Sequence, residues 1–386
     1  MMQMHNHAPH PDPLAPYTLD ALLEGAAHLH PQARALRDST GASLTFAQLA
    51  QQVAALAAHF RLCGLEPGQT LLLAGGAHSA IVTALLAGIR AGLDVALAPP
   101  NIRADQLAML ALRLQAAAII GGAPFGGFNP LDTALAAAAL AECVRLVGSL
   151  AGGDIDGAVD FSADALDLQP GIAPAHMPAH PARIITLLQD SKAFHPVAHQ
   201  QRTLVAGALD LVARARLTAA TPLLSTIAPL TYAGLAAGPL AMLACGAALD
   251  LHGPFESARL LAQVAAQPQV HLVVPAALLS AIERSGLLAP DCLGGLVVLS
   301  RWHKDAADFS PPQAVTTSVP VIDMHAFAES ALVAEPRGAD GRARAILDPP
   351  HSINIGGILM LATGASTDAN DALGFFGAAV TKDDEA

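Results

Sequence analysis

Thr70-Leu-Leu-Leu-Ala74, Ser79 to Ala91 and Val95-Ala-Leu-Ala98 decide the fold class. The first is an apolar run as long as a buried parallel strand, entered through the Pro67-Gly68 turn. The second is a helical stretch that Gly92 stops, and the third meets Pro99-Pro100. Strand and helix alternate, as they do in a doubly wound parallel sheet.

The alternation extends both ways. Upstream, Thr18-Leu-Asp-Ala-Leu-Leu-Glu reads as a helix and Ala33 to Asp38 as a strand. Thr45 caps a helix with apolar positions at Leu49, Val53, Leu56 and Phe60. Downstream come a helix from Arg103 to Gln115 and the strand Ala117-Ala-Ile-Ile120, then a looser Gly- and Asp-rich stretch over 121–181. The pattern resumes with the strand Arg183-Ile-Ile-Thr-Leu-Leu188 and a helix from Thr203 to Arg216. Strands at Leu223, Ala248, His271 and Gly295 follow, with helices between them. Residues 335–386 alternate between Gly/Pro turns and short segments, which predicts a small β-rich unit.

Composition narrows the function classes. The 386 residues are 53% hydrophobic and 13% charged, which excludes disorder and implies extensive burial. The formal net charge is −12 and no basic run occurs, which speaks against nucleic acid. Cys63, Cys143, Cys245 and Cys292 are scattered and form no CxxC pair, so neither a zinc knuckle nor a disulfide framework is expected. Residues 1–16 lack the apolar segment of a signal peptide and read as a disordered tail, so a cytoplasmic location is expected. The most apolar run, Leu230 to Leu251, carries Gly234, Gly238, Pro239 and Gly246, which predicts a buried helix rather than a membrane span.

Leu44-Thr-Phe-Ala-Gln-Leu49, Glu66-Pro-Gly68, Arg90-Ala-Gly92 and Leu97-Ala-Pro-Pro-Asn101 follow one another in an order that resembles the opening of the adenylate-forming superfamily, the acyl-CoA synthetases and AMP-binding ligases. Ala228-Pro-Leu-Thr-Tyr-Ala-Gly-Leu235, Cys245-Gly-Ala-Ala-Leu-Asp-Leu251 and Val273-Val-Pro-Ala-Ala-Leu-Leu279 resemble its central motifs, with no gaps needed. The resemblance covers roughly residues 17–380. It implies an α/β fold of two doubly wound sheets, a helix-sheet-helix-sheet-helix sandwich with a small β-rich C-terminal subdomain. The expected division is 17–180 and 181–330 for the two α/β subdomains and 331–386 for the small one. The sequence ends six residues after Val380, so the family's hinge and small C-terminal domain, which carries the catalytic lysine, are expected to be absent.

The same resemblance locates a nucleotide site and shows it altered. The family holds ATP on a Thr-Ser-Gly-Thr-Thr-Gly-x-Pro-Lys-Gly loop, whose glycines let backbone N–H groups approach phosphate. Matching flanks place that slot at Leu187-Leu-Gln-Asp-Ser-Lys-Ala-Phe-His-Pro196, which has no glycine. Gln189, Asp190 and Ser191 fill it, Lys192 is out of register, and His195 stands at the lysine position. The adenine loop falls near Trp302 and His303, and the Tyr-Gly-x-Thr-Glu motif aligns with His325-Ala-Phe-Ala-Glu329, keeping only the family's magnesium-ligating glutamate. Val380 replaces the ribose aspartate. Tyr232, Gly234 and Leu235 align beside the family's acyl pocket, although an aromatic at a helix start is also an ordinary core residue.

Adenylation joins a carboxylate to a triphosphate and needs positive charge, Mg²⁺ and aimed N–H donors. With these groups lost together, the first expectation is a degenerate homologue with no cofactor, binding an acyl chain, an acyl carrier protein or an intact synthetase, and free to form an oligomer. The alternative is an active AMP-forming ligase using ATP and Mg²⁺ with an altered site, completed by another chain. A third reading gathers His195, His303, His325 and Glu329 into a transition-metal site, against the plainer one that imidazoles fill a vacated pocket.

Overall fold

The computed structural model describes Leu14 and residues 17–166, 181–190, 193–302, 313–343, 351–355, 358–367 and 373–381. Apart from Leu14, the expected tail over 1–16 lies outside these residues.

The chain opens with α1 (Leu19–Leu29), β1 (Arg34–Arg37), β2 (Ser43–Thr45) and α2 (Phe46–Leu62). Thr45 caps α2 through a reciprocal pair: its hydroxyl accepts from the Gln48 N–H, and the Gln48 side chain accepts from the Thr45 N–H. Then come β3 (Thr70–Ala74), α3 (Ser79–Ala91), β4 (Asp94–Ala98), α4 (Ala104–Leu114) and β5 (Ala116–Gly121). Gly92 ends α3 at φ +83°, a left-handed turn that costs glycine no steric penalty. The stretch expected to be loose contains α5 (Pro130–Ala138), β6 (Leu146–Ser149) and β7 (Val159–Asp160).

The second half holds β8 (Ile184–Gln189), β9 (Phe194–His199), α6 (Gln201–Ala215), β10 (Leu223–Ser225), α7 (Tyr232–Leu235), α8 (Ala241–Cys245) and β11 (Leu249–Leu251). Next are α9 (Ser257–Ala266), β12 (Val270–Pro275), α10 (Leu279–Arg284), β13 (Leu293–Trp302), β14 (Val321–Phe327) and β15 (Ala331–Pro336). Three strands close the chain: β16 (His351–Ile355), β17 (Ile358–Thr367) and β18 (Leu373–Phe376).

These strands form a seven-stranded sheet ordered β7-β6-β5-β3-β4-β8-β9 and an eight-stranded sheet ordered β15-β14-β13-β12-β10-β11-β1-β2. A small antiparallel sheet, β16-β17-β18, is the expected β-rich unit. The two large sheets are mostly parallel and flanked by helices, as expected. α4 and α5 cover the outer face of the first sheet, and α9 and α10 the outer face of the second. A continuous apolar layer from α1, α2, α3, α6, α7 and α8 fills the space between. The apolar run Leu230–Leu251 belongs to that layer and bends at Gly238-Pro239. Among the described residues no helix is long and apolar enough to cross a membrane.

The sheets do not follow the boundaries expected at 180 and 330. β8 and β9 complete the first sheet, whereas β1 and β2 pair into the second, and β15 extends the second past residue 330. Ion pairs with one buried member tie β1 to the second sheet and α1 to α3. Asp250 on β11 accepts from Arg37 on β1, and Arg90 on α3 pairs with Asp20 and Glu24 on α1.

Candidate functional site

The slot that aligns with the family's phosphate loop lies in a pair of antiparallel strands, a β-hairpin. β8 and β9 pair antiparallel from Ile184↔His199 to Gln189↔Phe194. Asp190 closes the turn: its N–H donates to the Ala193 carbonyl at 3.1 Å, and its Oδ1 accepts from the Ala193 N–H at 2.7 Å. Its Oδ2 lies 2.8 Å from His195 Nε2. Pro196, which has no N–H, is tolerated because β9 is the sheet edge. The segment is thus an extended, paired ribbon and does not gather successive backbone N–H groups around an anion. Ser191 and Lys192 lie outside the described residues, as does His303.

Beside the hairpin lies a cavity of about 140 Å³ lined by Leu188, Gln189, Arg301, Trp302, Ala326 and Glu329. The structure therefore brings together Gln189, Trp302 and Glu329. Glu329 sits in the turn between β14 and β15 with φ +59°, a left-handed position uncommon for a residue with a side chain. It is 2% exposed, and both carboxylate oxygens are engaged. Oε1 accepts from Arg301 Nη2 at 2.8 Å, and Oε2 accepts from the Tyr232 backbone N–H at 2.7 Å. Arg301 was not foreseen as a site residue. Nothing local pairs it with a glutamate 28 positions later.

His325 is fully buried on β14, and its Nδ1 accepts from Trp302 Nε1 at 3.2 Å. Burial, aided by the Arg337 charge, pushes its pKa down to about 4, so the ring is neutral at pH 7. His195 lies on the partly exposed hairpin, paired with Asp190 instead of joining His325 and Glu329. Among the described residues no three His, Cys, Asp or Glu side chains could hold a metal ion together. The transition-metal grouping is therefore not assembled by its described members. His195 and His199, four apart, lie on a strand and not on a helix.

The residues aligned with an acyl pocket are closed in the core. Tyr232 and Leu235 are 0% exposed, and a Cβ on Gly234 would lie 2.4 Å from the Ala228 carbonyl oxygen. The Tyr232 hydroxyl lies 2.8 Å from the Thr203 carbonyl and 2.9 Å from the Ala379 carbonyl. Burial, with Asp210 nearby, drives this phenol well above its ordinary pKa. Its ring packs on His199, centroids 5.1 Å apart. His199 Nε2 lies 2.8 Å from Thr186 Oγ1, and Nδ1 lies 2.6 Å from Thr381 Oγ1, so this imidazole ties the hairpin to the last described residue. Burial pushes the His199 pKa to about 3. Thr381 is 182 positions away, a separation no sequence pattern spans.

The AMP-binding enzyme family model matches residues 23–187. No curated protein sequence matches the chain. Among solved structures, ATP-bound MatB from Rhodopseudomonas palustris is 15% identical with a TM-score of 0.71, the match covering 95% of this chain and 71% of that one. MbtA of Mycobacterium smegmatis is 19% identical with a TM-score of 0.68, covering 94% and 67%. The inhibitor-bound N-terminal domain of FACL13 from Mycobacterium tuberculosis is 13% identical with a TM-score of 0.69, covering 95% and 90%. The resemblance to the adenylate-forming superfamily is thus borne out, as a family match over residues 23–187 and as a shared fold over nearly the whole chain.

Proposed function

We propose that this chain, similar to AMP-binding enzymes and acyl-CoA ligases, no longer adenylates and acts as a cofactor-free binding protein for a macromolecular partner, either an acyl carrier protein or an intact synthetase. The hairpin at 184–199 carries this reading. An ATP-dependent ligase must aim N–H groups and cations at a triphosphate. This segment pairs its backbone within the sheet and sets the Asp190 carboxylate at the turn. Glu329 supports the same reading, because a guanidinium and a backbone N–H hold the two oxygens that a magnesium ion would need. The closed packing of Tyr232, Gly234 and Leu235 favours a protein partner over an acyl chain.

Calorimetry of the chain with ATP and Mg²⁺ tests the first half. No heat of binding up to about 1 mM ATP is expected, and a micromolar Kd would overturn the reading. Pyrophosphate exchange with a panel of carboxylic acids should stay at background. For the second half, a synthetase or carrier protein encoded beside this chain should co-elute with it at fixed stoichiometry. If only a long-chain acyl group co-purifies, the acyl-binding version takes its place.

A further inference from the structure

A different part of the first sheet forms a crevice that neither the hairpin nor the cavity at Glu329 uses. Strands β4-β3-β5-β6-β7 repeat the 2-1-3-4-5 order of a flavodoxin-like sheet, with β3 as strand 1 and β5 as strand 3. After β3 the chain enters α3 on the inner face, and after β5 it enters α5 on the outer face. The two loops therefore separate above the carboxyl ends of neighbouring strands, where open α/β sheets bind small molecules. Here the loops open with Gly75-Gly76-Ala77-His78 and, after β5, with Gly122-Ala123-Pro124-Phe125. The second sheet adds Gly253, two residues past β11.

An aromatic ring already fills this crevice. A Cβ on Gly76 would lie 2.3 Å from the Phe125 ring, and one on Gly253 would lie 2.8 Å from it. The backbones at Gly76 and Gly253 thus both approach the ring where a side chain would collide with it, and the ring lies in the space their missing side chains leave. Phe125 is partly exposed and belongs to a small flap. Its N–H donates to the Phe128 carbonyl at 2.9 Å and the Phe128 N–H returns the bond at 3.0 Å, across Gly126 and Gly127 at φ +57° and +85°.

An independent observation comes from His78, which stands at the N-cap of the 13-residue α3. It is 6% exposed, and its Nε2 is buried without a hydrogen-bond partner. Native proteins rarely leave such an atom unmatched, because its desolvation is uncompensated. The imidazole meets Phe125 edge-on, centroids 5.5 Å apart at 73°. Burial lowers the His78 pKa and Asp38 offsets this only in part, so the ring is neutral at pH 7. The α3 terminus is already occupied by an anion: Asp38 Oδ2 accepts from the Ser79 N–H at 2.8 Å and from the Ser79 hydroxyl at 2.7 Å. A second negative charge would be repelled there.

We propose that the slot between Gly76 and Gly253 binds an uncharged planar aromatic ring bearing one hydroxyl or N–H group, that Phe125 is its built-in stopper, and that His78 Nε2 hydrogen-bonds the polar edge of the ligand. Binding moves Phe125 out on the Gly126–Gly127 turn. The ligand then restores the ring packing and satisfies the orphaned nitrogen.

The test titrates the full chain with phenol, toluene and benzoate, following the His78 imidazole by NMR. Phenol should shift the His78 signal and bind about tenfold more tightly than toluene or benzoate. Phe125→Ala should tighten phenol about tenfold, because the stopper no longer competes. His78→Leu should abolish the preference for phenol over toluene. Two outcomes overturn the proposal. One is a His78 signal in the parent chain that stays unmoved up to about 10 mM phenol. The other is a Phe125→Ala chain that takes phenol and toluene alike, the mark of a dry hole made by truncation. Phe125→Leu carries the same comparison if the alanine variant does not fold.

Discussion

The carboxylate of Glu329 accepts the buried backbone N–H of Tyr232 at 2.7 Å and so ties the β14–β15 turn to the first residue of α7. Its other oxygen holds Arg301 on β13. One side chain therefore fixes the position of three elements around the candidate site.

Removing that carboxylate should be costly in a graded way. Glu329→Ala strands the Tyr232 N–H and should destabilise the fold by about 2–3 kcal/mol. Glu329→Gln keeps an acceptor for that N–H and loses only the pairing with Arg301, whose side chain is 45% exposed, so about 1 kcal/mol or less is expected. Urea unfolding of the two variants checks the order, and equal losses would mean that the N–H bond contributes nothing.

Acid should destabilise the protein before its carboxylates titrate. His199 and His325 have folded pKa values of about 3 and about 4, below the ordinary 6.5. A depressed histidine contributes fully above the unfolded pKa and loses that contribution as pH falls, because the unfolded chain binds protons that the native chain refuses. Stability should therefore drop from pH 6.5 downward, by about 2 kcal/mol per histidine at pH 5. Unfolding midpoints at pH 7.5, 6 and 5 report the slope. It should flatten in His199→Gln, and an unchanged slope there counts against the assignment.

Arg90→Ala should loosen the packing of α1 against α3. The Arg90 side chain is 6% exposed, while its partners Asp20 and Glu24 are 36% and 58% exposed and can rehydrate. The loss should be about 1–3 kcal/mol, and Arg90→Met should recover part of it by refilling the buried volume. Thermal melts that rank the methionine variant below the alanine variant would show that packing is not the larger share.

Gly76→Ala should clash with the Phe125 ring and cost about 1–3 kcal/mol. The double variant with Phe125→Ala should be less destabilised than the sum of the two single changes, because the added methyl then occupies vacated space. A double-mutant cycle measured by denaturant unfolding gives the coupling directly, and strict additivity would separate the two residues.

Much of the frame was legible because local signals agreed with it. Thr45 and Gln48 mark the start of α2, and Gly92 marks the end of α3. The apolar runs at Thr70 and Val95 become strands buried on both faces. The stretch after Gly121 misled because α5 is alanine-rich with little contrast between faces, and β7 is two residues long. Its glycines were also read as looseness. At Gly148 the close approach of Phe161 requires one, since a Cβ would lie 2.4 Å from that ring. At the candidate site, Gln189, Trp302 and Glu329 were placed together through family alignment and meet at one cavity. The grip of Arg301 on Glu329 and the reach of His199 to Thr381 were invisible, because both depend on distant segments meeting in space.

The position of Pro196 has a consequence for assembly. β9 is the outermost strand of the first sheet, and an outermost strand ordinarily offers a ladder on which another chain can grow. Here one rung lacks its donor and the adjoining turn carries the Asp190–His195 pair. The margin is thereby a poorer template for a further strand, which guards a sheet of largely apolar strands against runaway self-association.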